Sequence, residues 1–244
     1  MNGFRIVLRA EWRNLAILNF EVEPSVLEPR LPRGLELDRW QGRHYVSLIG
    51  FQFLHLRVLG MPVPCHQYFD EVNLRFYVRR RAPEGWRHGV VFIKELVSRR
   101  AIGLAARILY NEPYVAVPMR HRFEHTAAGR RQIRSLTYAW TSGSEHSLKL
   151  TTASAPLRTR KDSPEAFFAE RYWGYSVQRS GAVLEYHVER PRWSVADAFV
   201  GQLVCDVAMV FGERFVPCLG VPPASAFVAE GSEVALSRGV GLAD

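Results

Sequence analysis

Polar and apolar residues alternate with a period of two through much of the first half of the chain. Between positions 71 and 79 the polar residues are Glu71, Asn73, Arg75 and Tyr77, and the apolar ones are Val72, Leu74, Phe76 and Val78. This is the pattern of a strand with two different faces. Comparable strands are expected over residues 12–20, 44–53, 89–96, 114–123, 132–140, 148–153 and 183–189. Helices are fewer. Ser98 can cap a segment whose Ala101, Ile102, Ala105 and Leu109 share one helical face, ending before Asn111 and Pro113. A second helix is expected from Ser163, with Pro164 at its first position and Glu165 beside the amino-terminal dipole, running through Phe167 and Phe168 toward Tyr172. A short helical turn should follow Pro24. Residues 196–211 form a largely apolar stretch that periodicity leaves open between a helix and two strands.

Turn residues cluster at 31–34, 60–64, 79–85, 127–130 and 220–223, and none of these connections is long enough to be a linker. The expectation is one domain spanning 1–244, since strand-rich domains of this length are common. Hydrophobic residues make up 48% of the chain and charged residues 23%, the balance of a globular protein. Arg5, Arg9 and Glu11 interrupt the apolar positions of the amino terminus, so no signal peptide is expected. Gln202 and Asp206 break the apolar run around 199–211 below the roughly 20 residues of a membrane span. A cytoplasmic protein without a membrane partner is therefore expected.

Candidate chemistry is sparse at the level of motifs. Cys65, Cys205 and Cys218 are odd in number and widely spaced, which suits neither a disulfide framework nor a zinc set. His121 and His125 can share a strand face with Phe123, but no further metal ligand is signalled nearby. No glycine-rich phosphate loop is present, so no metal or cofactor is implied. The net charge of +8 raises nucleic acid as a partner, and Arg79, Arg80 and Arg81, then Arg130 and Arg131, then residues 158–161 cluster at turns, with Trp86 near the first. Yet only three of the 32 basic residues are lysine. So uniform an arginine bias reads better as a solvated rim, and nucleic-acid binding through these loops remains the last of three alternatives.

Several strings, in order, resemble the YqjF-like bacterial proteins of the acetoacetate decarboxylase-like superfamily: WRNLAILNFEVEPSVLEPRLPRGLELD, YFDEVNLRFYV, GVVFIKELVSRRAIGLAARILYNEPY, FFAERYWGY, LEYHVERPRW and PPASAFVAEGSEV. The resemblance implies an α+β, β-rich fold, a closed antiparallel β-barrel or cone with a few packed helices and a cavity near its centre. It also places Glu71 where the decarboxylases carry a catalytic glutamate, and a second family glutamate near Ser47. Pro113 matches a proline that two lysines follow in the decarboxylases, and here Tyr114 and Val115 replace them.

That replacement has a chemical meaning, because an imine needs an amine nucleophile and neither tyrosine nor guanidinium supplies one. Of the lysines, Lys161 precedes a helix cap and Lys149 alternates with leucines, so both are expected in solvent. Lys94 alone can rescue imine chemistry, with Glu95 or Glu71 as partners. The leading expectation is a central cavity, lined by Glu71, Asn73, Arg75 and Tyr114, that binds a small carboxylate or carbonyl compound. The alternative is an enzyme of the superfamily, of lyase or aldolase-dehydratase type, using Lys94 or a Glu71 and Tyr114 acid-base pair.

Overall fold

The computed structural model describes residues 5–99, 113–126, 129–152, 155–160 and 162–242. The alternating segments become β1 (Ile6–Val22), β3 (His44–Val58), β5 (Phe69–Ala82) and β6 (Gly85–Val97), with the short β2 (Glu36–Leu37) and β4 (Met61–Pro62) between them. There follow β7 (Tyr114–Ala116), β8 (Met119–Thr126), β9 (Gly129–Ser142), β10 (Ser144–Thr152) and β11 (Leu157–Arg158). The last strands are β12 (Trp173–Val177), β13 (Val183–Glu189), β14 (Ser194–Val204), β15 (Ser225–Ser237) and β16 (Val240–Gly241). Short helices are α1 (Pro24–Leu27), α2 (Pro164–Ala169), α3 (Val207–Phe211) and α4 (Val216–Leu219).

Local chemistry accounts for these elements. Ser163 caps α2, its side chain accepting from Ala166 N at 3.2 Å with Pro164 at the first position. The stretch expected to be either helix or strand is both in succession: β14 runs to Val204, and Asp206 then caps α3 by accepting from Met209 N at 3.0 Å. The single strand expected over 114–123 is divided. Pro118, which has no N–H to give a ladder, separates β7 from β8, and the two halves pair with different neighbours, β6 and β9. The helix expected after Ser98, and Lys161, lie outside the described residues.

The strands hydrogen-bond in the order β16-β13-β12-β6-β5-β3-β1-β15-β14-β10-β9-β8, and β13 also pairs with β15 through Val188↔Leu236 and Glu189↔Ala235. That extra pairing makes a ring of β13, β12, β6, β5, β3, β1 and β15. Most junctions are antiparallel, but β12 and β7 both run parallel to β6, a departure from the all-antiparallel expectation. β14 links the ring to what lies outside it: Val195 to Asp197 pair with β15, and Ala198 to Val204 pair with β10. From there β10, β9 and β8 form an arm that folds back over the outside of the ring.

Two cores result. Leu48, Val72, Leu74 and Phe76 face outward from the ring and are sealed by Leu136, Tyr138 and Leu148 of the arm and by Val210 and Phe211 of α3. Gly50 permits this approach, because a Cβ there would stand 2.6 Å from the Tyr138 ring, whose hydroxyl reaches across to Asn14 O at 2.8 Å. Inside the ring, Phe168 of α2 packs against Tyr45, Tyr77 and Phe227 and closes one end. β5 is thus enclosed on both sides, and the polar face that periodicity alone would give to solvent turns inward.

A clasp joins arm to ring where β8 crosses β5: His121 Nδ1 lies 2.9 Å from Asp70 Oδ2. The hydrogen bond to Asp70 raises the imidazole above its ordinary value against a smaller opposing effect of burial. A raised folded value means that the contribution to stability is full below the unfolded pKa and fades as pH climbs through the folded one. His121 is therefore expected to titrate above about 6.5 in an NMR titration, and its midpoint should fall in Asp70→Asn. A midpoint that does not move would show that the clasp is absent.

Candidate functional site

Along the inner face of the ring, β3 contributes Ile49, Phe51 and Phe53, β5 contributes Glu71, Asn73 and Arg75, and β6 contributes Val90, Phe92 and Glu95. They border a cavity of about 390 Å³. The spacing on β6 changes midway. Arg75 is opposite Phe92 while Leu74 is opposite Lys94, so Ile93 is an extra residue, a β-bulge that shifts the alternation by one. Without it the inward series Val90, Phe92 would continue to position 94. With it, Glu95 enters the cavity and Lys94 is turned away.

Lys94 accordingly borders a separate groove with Arg30, Met209 and Val210, and its Nζ donates to Val210 O at 2.5 Å. Burial lowers the pKa of this ammonium, the direction that imine chemistry exploits. Its position is the correction to the expectation that it joins Glu71 at one site. Tyr114 stands in the wall between the two spaces and borders both. β7 places it there, since Tyr114 is registered with Glu95 across the parallel pairing to β6.

Of the expected residues, then, Glu71, Asn73, Arg75 and Tyr114 border one cavity and Lys94 does not. Glu71 and Asn73 are buried, and Asn73 Nδ2 donates to Glu71 Oε1 at 2.8 Å. Asn73 Oδ1 is buried and has no hydrogen-bond partner among the described residues. Arg75 is half-buried; its Nη2 donates to Phe168 O at 3.0 Å, while its Nε is buried without a partner among the described residues. Ser47, level with Arg75 on β3, gives its hydroxyl to Asn19 Oδ1 at 2.5 Å and also bonds the Tyr77 hydroxyl, and it does not border the cavity.

Arg171, like His66, is a polar cavity residue for which the local sequence carried no signal. It follows α2 directly and is held by partners remote in the chain: Nη1 donates to Asp38 Oδ2 at 2.6 Å and Nε to Phe167 O at 2.6 Å, with the guanidinium 4.0 Å above the Phe167 ring. His88 Nδ1 is 2.7 Å from the same Asp38 oxygen. Burial pushes the Asp38 carboxyl up, but the His88 hydrogen bond and the Arg171 charge together outweigh it and leave the carboxyl below its usual value. Burial lowers Arg171, and a guanidinium remains cationic at neutral pH even so. Gly174, opposite Tyr186, also borders the cavity; a Cβ there would stand 2.1 Å from the Tyr186 ring, so glycine makes the room that the ring fills.

Other expected features are spent on structure. Arg79 pairs with Glu36 at 2.8 Å and lies 4.4 Å above Trp86, and Arg80 pairs with Glu185 at 2.7 Å. Lys149 is exposed. Cys65 is exposed, Cys218 is buried, and burial pushes the Cys205 thiol up to about 12, far from a reactive thiolate. Among the described residues, no group of histidine, cysteine, aspartate and glutamate is arranged to hold a metal, and no helix is long and apolar enough to cross a membrane.

Comparison with known proteins agrees with this architecture. The family model DUF2071, described as an uncharacterized conserved protein, matches residues 9–233. The uncharacterized protein YqjF of Bacillus subtilis (strain 168) is 27% identical over 179 residues, 71% of this chain and 69% of that protein. Among solved structures, acetoacetate decarboxylase from Legionella pneumophila is similar with a TM-score of 0.68 at 14% identity, covering 100% of this chain and 90% of that one. The enduracididine biosynthesis enzyme MppR, complexed with pyruvate, is similar with a TM-score of 0.68 at 13% identity, covering 100% and 93%. An acetoacetate decarboxylase-like enzyme from Sphingomonas wittichii RW1 is similar with a TM-score of 0.65 at 13% identity, covering 97% and 93%. Identities this low establish the shared fold alone.

The Asp38 to Arg171 pair has side chains only 5% and 3% exposed. Removing one member of such a pair strands a buried charge and costs about 3–5 kcal/mol, whereas replacing both with apolar residues costs far less. Asp38→Ala should therefore be strongly destabilised in denaturant unfolding, and Asp38→Leu combined with Arg171→Met should recover much of the loss. Because the folded value of Asp38 is lowered, its contribution holds at neutral pH and is lost as pH falls below the ordinary aspartate range. A double variant no more stable than Asp38→Ala would show that the pair is not the reason.

Proposed function

We propose that this chain, which belongs to the DUF2071 family of uncharacterized conserved proteins, binds a small carboxylate or carbonyl compound in its central cavity and does so without imine chemistry. The observation that carries the reading is Arg75. Unlike Arg171, whose charge meets Asp38, Arg75 borders the cavity with a buried Nε that lacks a partner among the described residues. A buried guanidinium N–H without an acceptor is costly until one meets it. A ligand carboxylate meets it well, through the parallel donors of the guanidinium fork. The buried Asn73 Oδ1 adds an acceptor for a hydroxyl or N–H of the same ligand.

The lysine positions support the exclusion of an imine. Lys94 is bonded to Val210 O outside the cavity, and Lys149 is exposed on the arm. A second reading is favoured by one observation, the convergence of Glu71, Glu95 and Tyr114 on the cavity. Carboxyl and phenol groups there suit proton transfer on a bound carbonyl compound, with no covalent adduct to the protein. In both readings Glu71, Asn73, Arg75 and Tyr114 contact the ligand, and Lys94 does not.

Because a neighbour of the same fold is complexed with pyruvate, keto acids are a suitable first panel. A ligand of this class should raise the melting temperature of the parent protein, and Arg75→Ala should weaken its binding about ten- to hundredfold, the value of a charged hydrogen bond. Glu71→Ala should weaken it as well. Borohydride added with pyruvate or acetoacetate should leave the mass unchanged, and an adduct on Lys94 would overturn the non-imine reading. Product formation that is lost in Tyr114→Phe while binding persists would select the second reading.

A further inference from the structure

We infer that the ligand is a medium-chain monocarboxylate, an anionic head carried on a long hydrocarbon tail; this rests on the carboxylate-binding reading above and names its substrate class. The polar groups of the cavity gather around Asn73, Arg75 and Glu95, and the wall beyond Glu71 is aromatic. Trp12, Phe53 and Phe69 are registered in one row across β1, β3 and β5. Phe53 and Phe69 stack with centroids 4.5 Å apart, and Trp12 meets Phe53 at 5.9 Å, Phe51 at 5.6 Å and Trp193 at 6.4 Å.

Strand geometry sets the length of this compartment. At about 3.3 Å per residue, Phe69 lies ~13 Å along β5 from Asn73 and ~20 Å from Arg75. Pyruvate or acetoacetate held at Arg75 leaves the aromatic row uncovered. Water fills such a space poorly, because the phenylalanine rings offer it no partner and Trp12 Nε1, buried without one among the described residues, adds a single donor where water needs two or more. A hydrocarbon chain fills it and gains from every methylene removed from solvent. Phe51, Phe53, Phe69 and Leu56 offer a distal carboxylate no hydrogen bond, and Trp12 and His66, which also border the cavity, lack the forked donors of a guanidinium, so one anionic head is favoured at Arg75 and none beside the row.

The test is calorimetric titration of the intact protein with saturated monocarboxylates from butanoate to dodecanoate, alongside the matching alcohols. Each added methylene should tighten Kd about three- to fourfold until the compartment is full. The alcohols should bind at least tenfold more weakly than the acids, and Arg75→Met should bring acids and alcohols to the same Kd. A dodecanoate brominated at its terminal carbon should quench tryptophan fluorescence, and the quench should shrink in Trp12→Phe, a replacement that keeps an aromatic ring in the row. Acids that bind equally at every length overturn the tail and leave the carboxylate reading standing. Alcohols that match the acids overturn the anionic head. Failure of every acid, short or long, overturns both the inference and the reading on which it rests.

Discussion

Two backbone pairings, Val188 with Leu236 and Glu189 with Ala235, turn an extended sheet into a ring. Everything inside the molecule depends on that closure. An open sheet would show β5 to water on one side, and Glu71, Asn73 and Arg75 would be ordinary surface residues. In the ring the same residues sit in a space whose other walls are mostly aliphatic and aromatic, where each polar atom must find a partner or remain costly. Asn73 Nδ2 and Arg75 Nη2 are satisfied by Glu71 and Phe168, while Asn73 Oδ1, Arg75 Nε and Trp12 Nε1 have no partner among the described residues.

The enclosure is completed from outside. β14 pairs with β15 of the ring over Val195 to Asp197 and with the arm thereafter, which fixes the arm against the outward face of β3 and β5. Tyr138 fills the space that Gly50 leaves, and His121 meets Asp70 at the rim. α2 closes the opposite end with Phe168 and, one residue beyond its own last turn, delivers Arg171 to the interior. The cavity is therefore a product of contacts far apart in the chain, none of them strong alone.

That remoteness decides what the sequence could disclose. The strand at 71–79, the cap at Ser163 and the division of residues into polar and apolar faces are local patterns, and all of them are readable from neighbouring positions. The resemblance to the decarboxylase-like superfamily then supplied the fold and the inward direction of Glu71. Closure through β13 and β15, the pairing of Asp38 with Arg171 across 133 positions, and the aromatic row built from three strands are invisible to any local window. Pro118 did mark the break between β7 and β8, a signal that continuous alternation concealed. The misplacement of Lys94 has a different origin: strict alternation is the right rule for β6 until Ile93, an extra residue with no counterpart of its own on β5.

The bulge at Ile93 carries a consequence for how such a cavity can change over evolution. Lys94 and Glu95 are neighbours, and the bulge is the slack in the strand ahead of them. Loss of the codon for Ile93 would leave Phe92 opposite Arg75, Lys94 opposite Leu74 and Glu95 opposite Asn73, so the carboxylate would stay inside. Straightening the strand with all its residues kept would instead bring Lys94 opposite Asn73 and carry Glu95, with every later residue of β6, to the other face. The chemical identity of the interior is thus indifferent to a codon lost at the bulge and sensitive to the register of everything that follows it.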